Sequence, residues 1–101
     1  MQSGRKNEQV EQLITGTILL NPDVFYDVCD IIAPEMFSPG IYQIIAVEIF
    51  NEINQNKKID LQVFAYKMGK KYESESISYK SLLELTKRGD SISVLSMCEF
   101  L

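Results

Sequence analysis

Histidine is absent from this chain of 101 residues, and so is tryptophan. Without histidine there is no side chain of the type that most often serves as a general base near neutral pH, and no imidazole ligand for zinc. Carboxylate chemistry stays open, but serines lose the usual base that turns a hydroxyl into a nucleophile. Cysteine is scarce. Cys29 and Cys98 lie far apart in sequence and match no metal-binding spacing, so free buried thiols and a cytoplasmic home are expected. The glycines Gly4, Gly16, Gly40, Gly69 and Gly89 build neither a phosphate-binding loop nor a dinucleotide fingerprint. Gly69-Lys70 lacks the upstream glycine and the following Ser or Thr. No apolar run is long enough to span a bilayer, and no signal peptide precedes the first helix. A membrane partner is therefore not expected, nor is catalysis.

Hydrophobic residues make up 46% and charged residues 24%, which suits one globular domain with a modest core. The net charge of -4 is uneven. Residues 1–56 hold two basic and eight acidic side chains, giving -6; residues 57–101 hold eight basic and six acidic ones, giving +2. Such asymmetry orients partners or marks two differently solvated faces.

The most apolar stretch is Ile41 to Gln55, IYQIIAVEIFNEINQ. On a helix, Ile41, Tyr42, Ile45, Ala46, Ile49, Phe50 and Ile53 cover about half the circumference. That breadth predicts a central helix with others packed round it. Ser38 is its expected N-cap and Pro39 its first helical residue. Ile44 and Val47 fall among the polar residues Glu48, Asn51 and Glu52; they either touch a loop or meet another subunit.

Ahead of it, residues 1–6 read as a disordered lead-in. Helix one is expected over Asn7 to Leu20, with Val10, Leu13, Ile14, Thr17 and Ile18 on one stripe. Gly16 lies at the stripe's edge, where a missing side chain lets another helix come close. Asn21-Pro22-Asp23 signals a helix start with Asn21 as cap. Helix two carries Val24, Phe25, Val28, Ile31 and Ile32 inward and stops at Ala33-Pro34. Phe37 is expected in the core.

The central helix frays near Asn56-Lys57. Asp60 caps helix four, with Ile59 and Phe64 spaced as a hydrophobic staple, and Leu61, Phe64, Ala65 and Met68 buried. Glu73 to Ser76 reads as a loop. Ser78 caps helix five, Tyr79 to Arg88, with Leu82, Leu83 and Leu85 inward and Gly89 as its C-terminal glycine. Ser91 caps a last helix that carries Ile92, Leu95, Cys98 and Leu101 and reaches the chain end without a stop signal. No period-two strand and no repeat is visible. The fold class is all-α, a compact bundle of about six helices.

Two clusters invite chemistry. Asp23, Asp27 and Asp30 stand about one helical turn apart, as a cation site or, more simply, as a solvated face. Lys57, Lys58, Lys67, Lys70 and Lys71 bracket helix four, with Tyr66 and Tyr72 near enough to stack on a base. The acidic total and the presence of only two arginines, Arg5 and Arg88, favour a solvated face.

The run from Glu8 to Leu61 resembles the N-terminal domain of DnaB-family replicative DNA helicases. The residues that carry the resemblance are Glu8, the segment Leu13-Ile14-Thr15-Gly16-Thr17-Ile18-Leu19-Leu20-Asn21, then Ile32-Ala33-Pro34-Glu35-Met36-Phe37, and Ile59-Asp60-Leu61. Leu82-Leu83-Glu84-Leu85 continues it more weakly. Each segment alone is a cap or a core stripe; their order and spacing make the likeness. The chain departs from the family where Tyr42 stands in place of a usual histidine, and where a usual glycine pair is missing from Glu73 to Ile77.

The resemblance implies a collar domain that is all-α, acts in DNA replication, assembles as a homo-oligomer (a hexamer in the full-length protein), and docks primase and a helicase loader. DNA would be reached through the parent helicase, not directly. ATP and Mg would serve only the motor domain, which is absent from this chain, so no cofactor, metal or catalytic residue is expected here. Residues 7–90 would form the collar and residues 91–101 the start of a helical hairpin, Leu101 lying in its first helix. The expected protein interface is Ile92, Leu95 and Cys98, with Ile44 and Val47 as a second candidate. Two other classes remain: the helicase-binding domain of a primase, and a small nucleic-acid-binding module.

Overall fold

The computed structural model describes the backbone of residues 3–75 and 77–101, and the side chains of 8–75 and 77–101. Six α-helices follow one another: α1 (Ser3–Leu20), α2 (Phe25–Val28), α3 (Ile41–Asn54), α4 (Leu61–Lys71), α5 (Tyr79–Thr86) and α6 (Val94–Met97). Short 3-10 turns stand at Pro22–Val24, Pro34–Met36, Glu73–Glu75 and Cys98–Phe100. No strand occurs among the described residues. The class is all-α, as the helical spacing indicates.

The centre is α1 rather than α3. It packs against α3, α5 and α6 and against the turns at both ends of the core. Glu11, Ile14, Thr15, Gly16, Thr17, Ile18 and Leu19 are all buried, so neighbours cover most of its circumference. Small side chains make this possible. A Cβ on Gly16 would run into the Leu85 carbonyl oxygen, and one on Gly89 would stand 2.8 Å from both Thr17 Cα and Thr17 N. The α1–α5 crossing is therefore set by two glycines in backbone-to-backbone contact. Gly89 does not adopt the left-handed conformation expected of a helix-ending glycine; its role is this close approach.

α1 begins earlier than its stripe suggests. The helix runs from Ser3, and residues 1 and 2 lie outside the described residues. Asn21 stands where a cap is expected, but only its backbone takes part: its carbonyl accepts from Val24 N–H at 3.0 Å. Helix two shrinks to one 3-10 turn and one α turn. Ile31 leaves the apolar face and is exposed, because the chain unwinds after Val28; Ile32 returns to the core. Ala33 is extended before Pro34, as proline demands, and Phe37 is buried.

α3 starts at Ile41, not at Pro39. Its cap position is Gly40, at φ 146°, a conformation that an L side chain rarely adopts. Ser38 is occupied elsewhere. Its N–H donates to Glu11 Oε2 at 2.7 Å, tying the loop to α1. The far end of α3 does not fray. Asn56, at φ 60°, is the left-handed residue of a Schellman closure: its N–H donates to the Ile53 carbonyl at 2.9 Å and Lys57 N–H to the Glu52 carbonyl at 3.0 Å.

Asp60 caps α4, its carboxylate accepting from Gln62 N–H at 3.0 Å and Val63 N–H at 3.1 Å. Ile59 and Phe64 both join the core. Gly69 does not end α4, which runs on to Lys71. The expected loop at 73–76 holds a 3-10 turn at Glu73–Glu75, and residue 76 lies outside the described residues. Ser78 caps α5 reciprocally with Ser81: Ser81 N–H donates to Ser78 Oγ, and Ser78 N–H to Ser81 Oγ. In α5, Leu82 and Leu85 point inward with Thr86, while Leu83 is exposed. The helix ends at Thr86, two residues early. Ahead of α6 the capping acceptor is Asp90, not Ser91: its carboxylate takes the Ile92 and Ser93 N–H groups and the Ser93 hydroxyl.

Candidate interaction surfaces

α6 and the 3-10 turn after it lie against α1, with Val94 of the helix and Cys98 of the turn both buried. The helix is positioned by Thr17, whose hydroxyl is wholly buried, donates to the Leu13 carbonyl at 2.6 Å and accepts the Asp90 N–H at 2.7 Å. With that face turned inward, the opposite one is left to solvent. Leu95 of α6 is 51% exposed, Ile92 in the turn before it is 94% exposed, and Phe100 in the turn after it is also exposed. The structure thus separates the sequence-derived set. Ile92 and Leu95 lie outside; Cys98 is in the core, where burial pushes its thiol pKa up. Cys29 is half-buried, and both thiols are free.

Ile44 and Val47 lie on α3 and are half-buried, with Ile44 packed against the core. Next to them α3 is bound to α4. Glu48 Oε2 accepts from Lys71 Nζ at 2.8 Å and from the Tyr72 hydroxyl at 2.8 Å, and Glu52 pairs with Lys67 at 3.4 Å. Burial pushes the Glu48 carboxyl up, but the hydrogen bonds from Lys71 and Tyr72 and the Lys71 charge together hold it below its ordinary value. The same contacts, led by the hydrogen bond to Glu48, raise Lys71 and Tyr72. The lysine cluster round α4 is therefore not a uniform basic strip. Lys67 and Lys71 face glutamates of α3, Lys70 lies over the Tyr66 ring at 5.6 Å, and Lys57 and Lys58 stand apart beyond the end of α3.

Asp23, Asp27 and Asp30 are all exposed, and no group of three or more Asp, Glu, Cys or His side chains among the described residues is placed to hold a metal ion. No helix among them is long and apolar enough to cross a membrane. Sequence reasoning missed Glu11, a carboxylate only 2% exposed. Its signal was available in the spacing Glu11, Thr15, Ile18, which places it on a buried face of α1 at helical intervals. Tyr42, at the family's usual histidine position, accepts a hydrogen bond from Gln12 Nε2 at 2.8 Å and so links α3 to α1.

A model of the DnaB-like helicase N-terminal domain matches residues 4–98, nearly the whole chain. The chain belongs to that family. Neither a curated protein nor a solved structure matches it. The DnaB-like domain here keeps an all-α core in which the segments that carry the likeness, residues 13–21 and 32–37, form the C-terminal half of α1 with the residue after it, and the turn that leads towards α3. Gly16, in the first of these, sits at the α1–α5 contact.

Proposed function

We propose that this DnaB-like domain is the collar of a replicative helicase. It holds subunits together and presents a docking surface for primase and loader, while the nucleotide chemistry resides in a motor domain outside this chain. Subunit association uses the outer face of α6. The observation that carries this reading is Leu95, 51% exposed on a helix whose other face is already engaged with α1, together with Ile92, 94% exposed in the turn just before that helix. Exposed apolar side chains gathered on one face mark interaction surfaces rather than a core. The side of α3 that bears Ile44 and Val47 is the second candidate, weaker because both are half-buried. The hexamer belongs to the parent protein, within which residues 91–101 open a helical hairpin.

Leu95→Glu tests the reading. A charge placed on an interface should lower association, seen by sedimentation or light scattering across a concentration series, and leave the helical signal and thermal midpoint of the monomer nearly intact. Placed in a core, the same charge would cost several kcal/mol, on the order of the penalty for an unpaired buried polar group. Outright unfolding of Leu95→Glu would remove α6 from the interface. Unchanged association with an intact fold would do the same.

A further inference from the structure

Beyond the end of α3 the chain forms an open cleft of about 430 Å³, within the ~300–1,000 Å³ common for binding clefts. Its lining comes from two places in the chain: Pro22, Asp23 and Tyr26 after α1, and Ile53, Asn56, Lys57, Lys58 and Ile59 at and beyond the end of α3. Both stretches are preorganised. Asn56 and Lys57 are held by the Schellman hydrogen bonds to the Ile53 and Glu52 carbonyls, and the turn after α1 by Pro22 and the Val24 N–H to Asn21 carbonyl bond. Ile53 is buried and Ile59 half-buried, so the floor is apolar, while Tyr26 is 65% exposed and offers a ring at the rim.

The charges have a direction. The ion pairs among the described residues are Lys67–Glu52, Lys71–Glu48 and Lys87–Glu84. Lys57 and Lys58 belong to none of them, although the chain as a whole carries -4. They bring two positive charges to the lining, against the one negative charge of Asp23. We propose that this cleft docks an extended segment of a partner protein in which an acidic residue stands beside an apolar one. The apolar side chain fills the floor against Ile53, Ile59 and the Tyr26 ring. The carboxylate pairs with Lys57 and Lys58, and Asp23 excludes the reverse orientation by repulsion. A segment of this kind uses both features of the cleft at once, which a strand of nucleic acid does not: its phosphates would meet Asp23, and Asp27 of α2 and Asp30 just after it lie close by in sequence. The site is separate from the α6 face and stands or falls independently of it.

The probe is a fluorescein-labelled peptide, Asp-Asp-Leu-Phe-Asp-Glu, titrated with the chain in about 100 mM salt, where exposed charges more than about 10 Å apart are largely screened. Saturable binding is expected, weakened roughly tenfold by the double variant K57E/K58E, since reversing rim charges acts chiefly through such pairs. Y26A should weaken it several-fold, and a peptide with lysine at every acidic position should not bind. All three altered side chains are exposed, and an unchanged helical signal confirms that loss of binding reads the surface. Lack of saturation up to millimolar chain overturns the proposal, as does equal binding of both peptides or indifference to K57E/K58E. Tighter binding of single-stranded oligothymidine, lost in K57E/K58E, overturns it in favour of nucleic acid.

Discussion

Glu48 shows how one residue ties two helices. Its carboxylate is shared by Lys71 and Tyr72, and those contacts outweigh the burial that would otherwise raise its pKa. A carboxyl whose folded pKa is depressed stabilises the fold above its unfolded value and loses that contribution as pH falls through the folded value. The parent should therefore lose stability as pH drops through and below the ordinary glutamate range near 4.5. Glu48→Gln should flatten this acid limb while lowering stability at neutral pH. Denaturant midpoints measured from about pH 3 to 7 check it, and parallel acid limbs for the two proteins would show that Glu48 contributes nothing through its charge. Asp60 is a simpler case. Its side chain satisfies two otherwise free N–H groups of α4, so Asp60→Ala should cost about 0.5–2 kcal/mol without a change of fold. Coincident denaturation midpoints for mutant and parent would contradict the cap.

At the scale of elements, the α1–α5 crossing depends on absences. Gly16 lies inside a helix, where alanine is favoured by about 1 kcal/mol. Contact geometry opposes this: the added methyl would overlap the Leu85 carbonyl, which is backbone and cannot swing aside. Gly16→Ala should therefore destabilise by roughly 1–3 kcal/mol, the usual cost of overpacking. Gly69→Ala, whose methyl would stop 3.3 Å from the Ile77 carbonyl, should cost much less. A thermal melt of each variant separates the effects; a stabilised Gly16→Ala would mean that the helices move apart freely. The same crossing explains what was legible in the sequence. Helix positions could be read because Asp60, Ser78 and the proline at 34 act locally, within three or four residues. Which helix stands at the centre could not, since it depends on how closely backbones approach. The apolar breadth of α3 suggested a hub, yet the small residues of α1 admit more neighbours. Ile31 and Leu83 were misassigned for a related reason: α2 and α5 are too short for a stripe to be maintained past one or two turns. The caps at Ser38 and Ser91 failed because the nearby Gly40 and Asp90 take those tasks. Of the candidate interface, the exposed pair Ile92 and Leu95 shared one spacing with the buried Cys98, and periodicity alone cannot tell the inner side of a four-residue helix from its outer side.

For the whole molecule, charge decides what the surface attracts. Residues 57–101 carry a net +2, and five lysines round α4 invite the idea of a phosphate-binding face. In the folded chain α3 sets Glu48 and Glu52 against Lys71 and Lys67, and Lys57 and Lys58 stand apart beyond the end of α3, so the five do not form one strip. Lys70 and Tyr66 remain free on the outside, too small a footprint for a strand whose affinity rests on several phosphate contacts together. The chain's overall -4 adds long-range repulsion. Nucleic acid is therefore expected to be, at most, a weak ligand of this domain at physiological salt, and any residual binding should fall steeply as salt rises. A titration of single-stranded DNA at two salt concentrations checks this. The decisive contrast is the triple variant Lys67→Glu, Lys70→Glu, Lys71→Glu, with its helical signal measured alongside, since Lys71 also holds Glu48. A micromolar complex at physiological salt that disappears in a folded triple variant would reverse the conclusion. It would make the α4 face, rather than α6, the working surface of the domain.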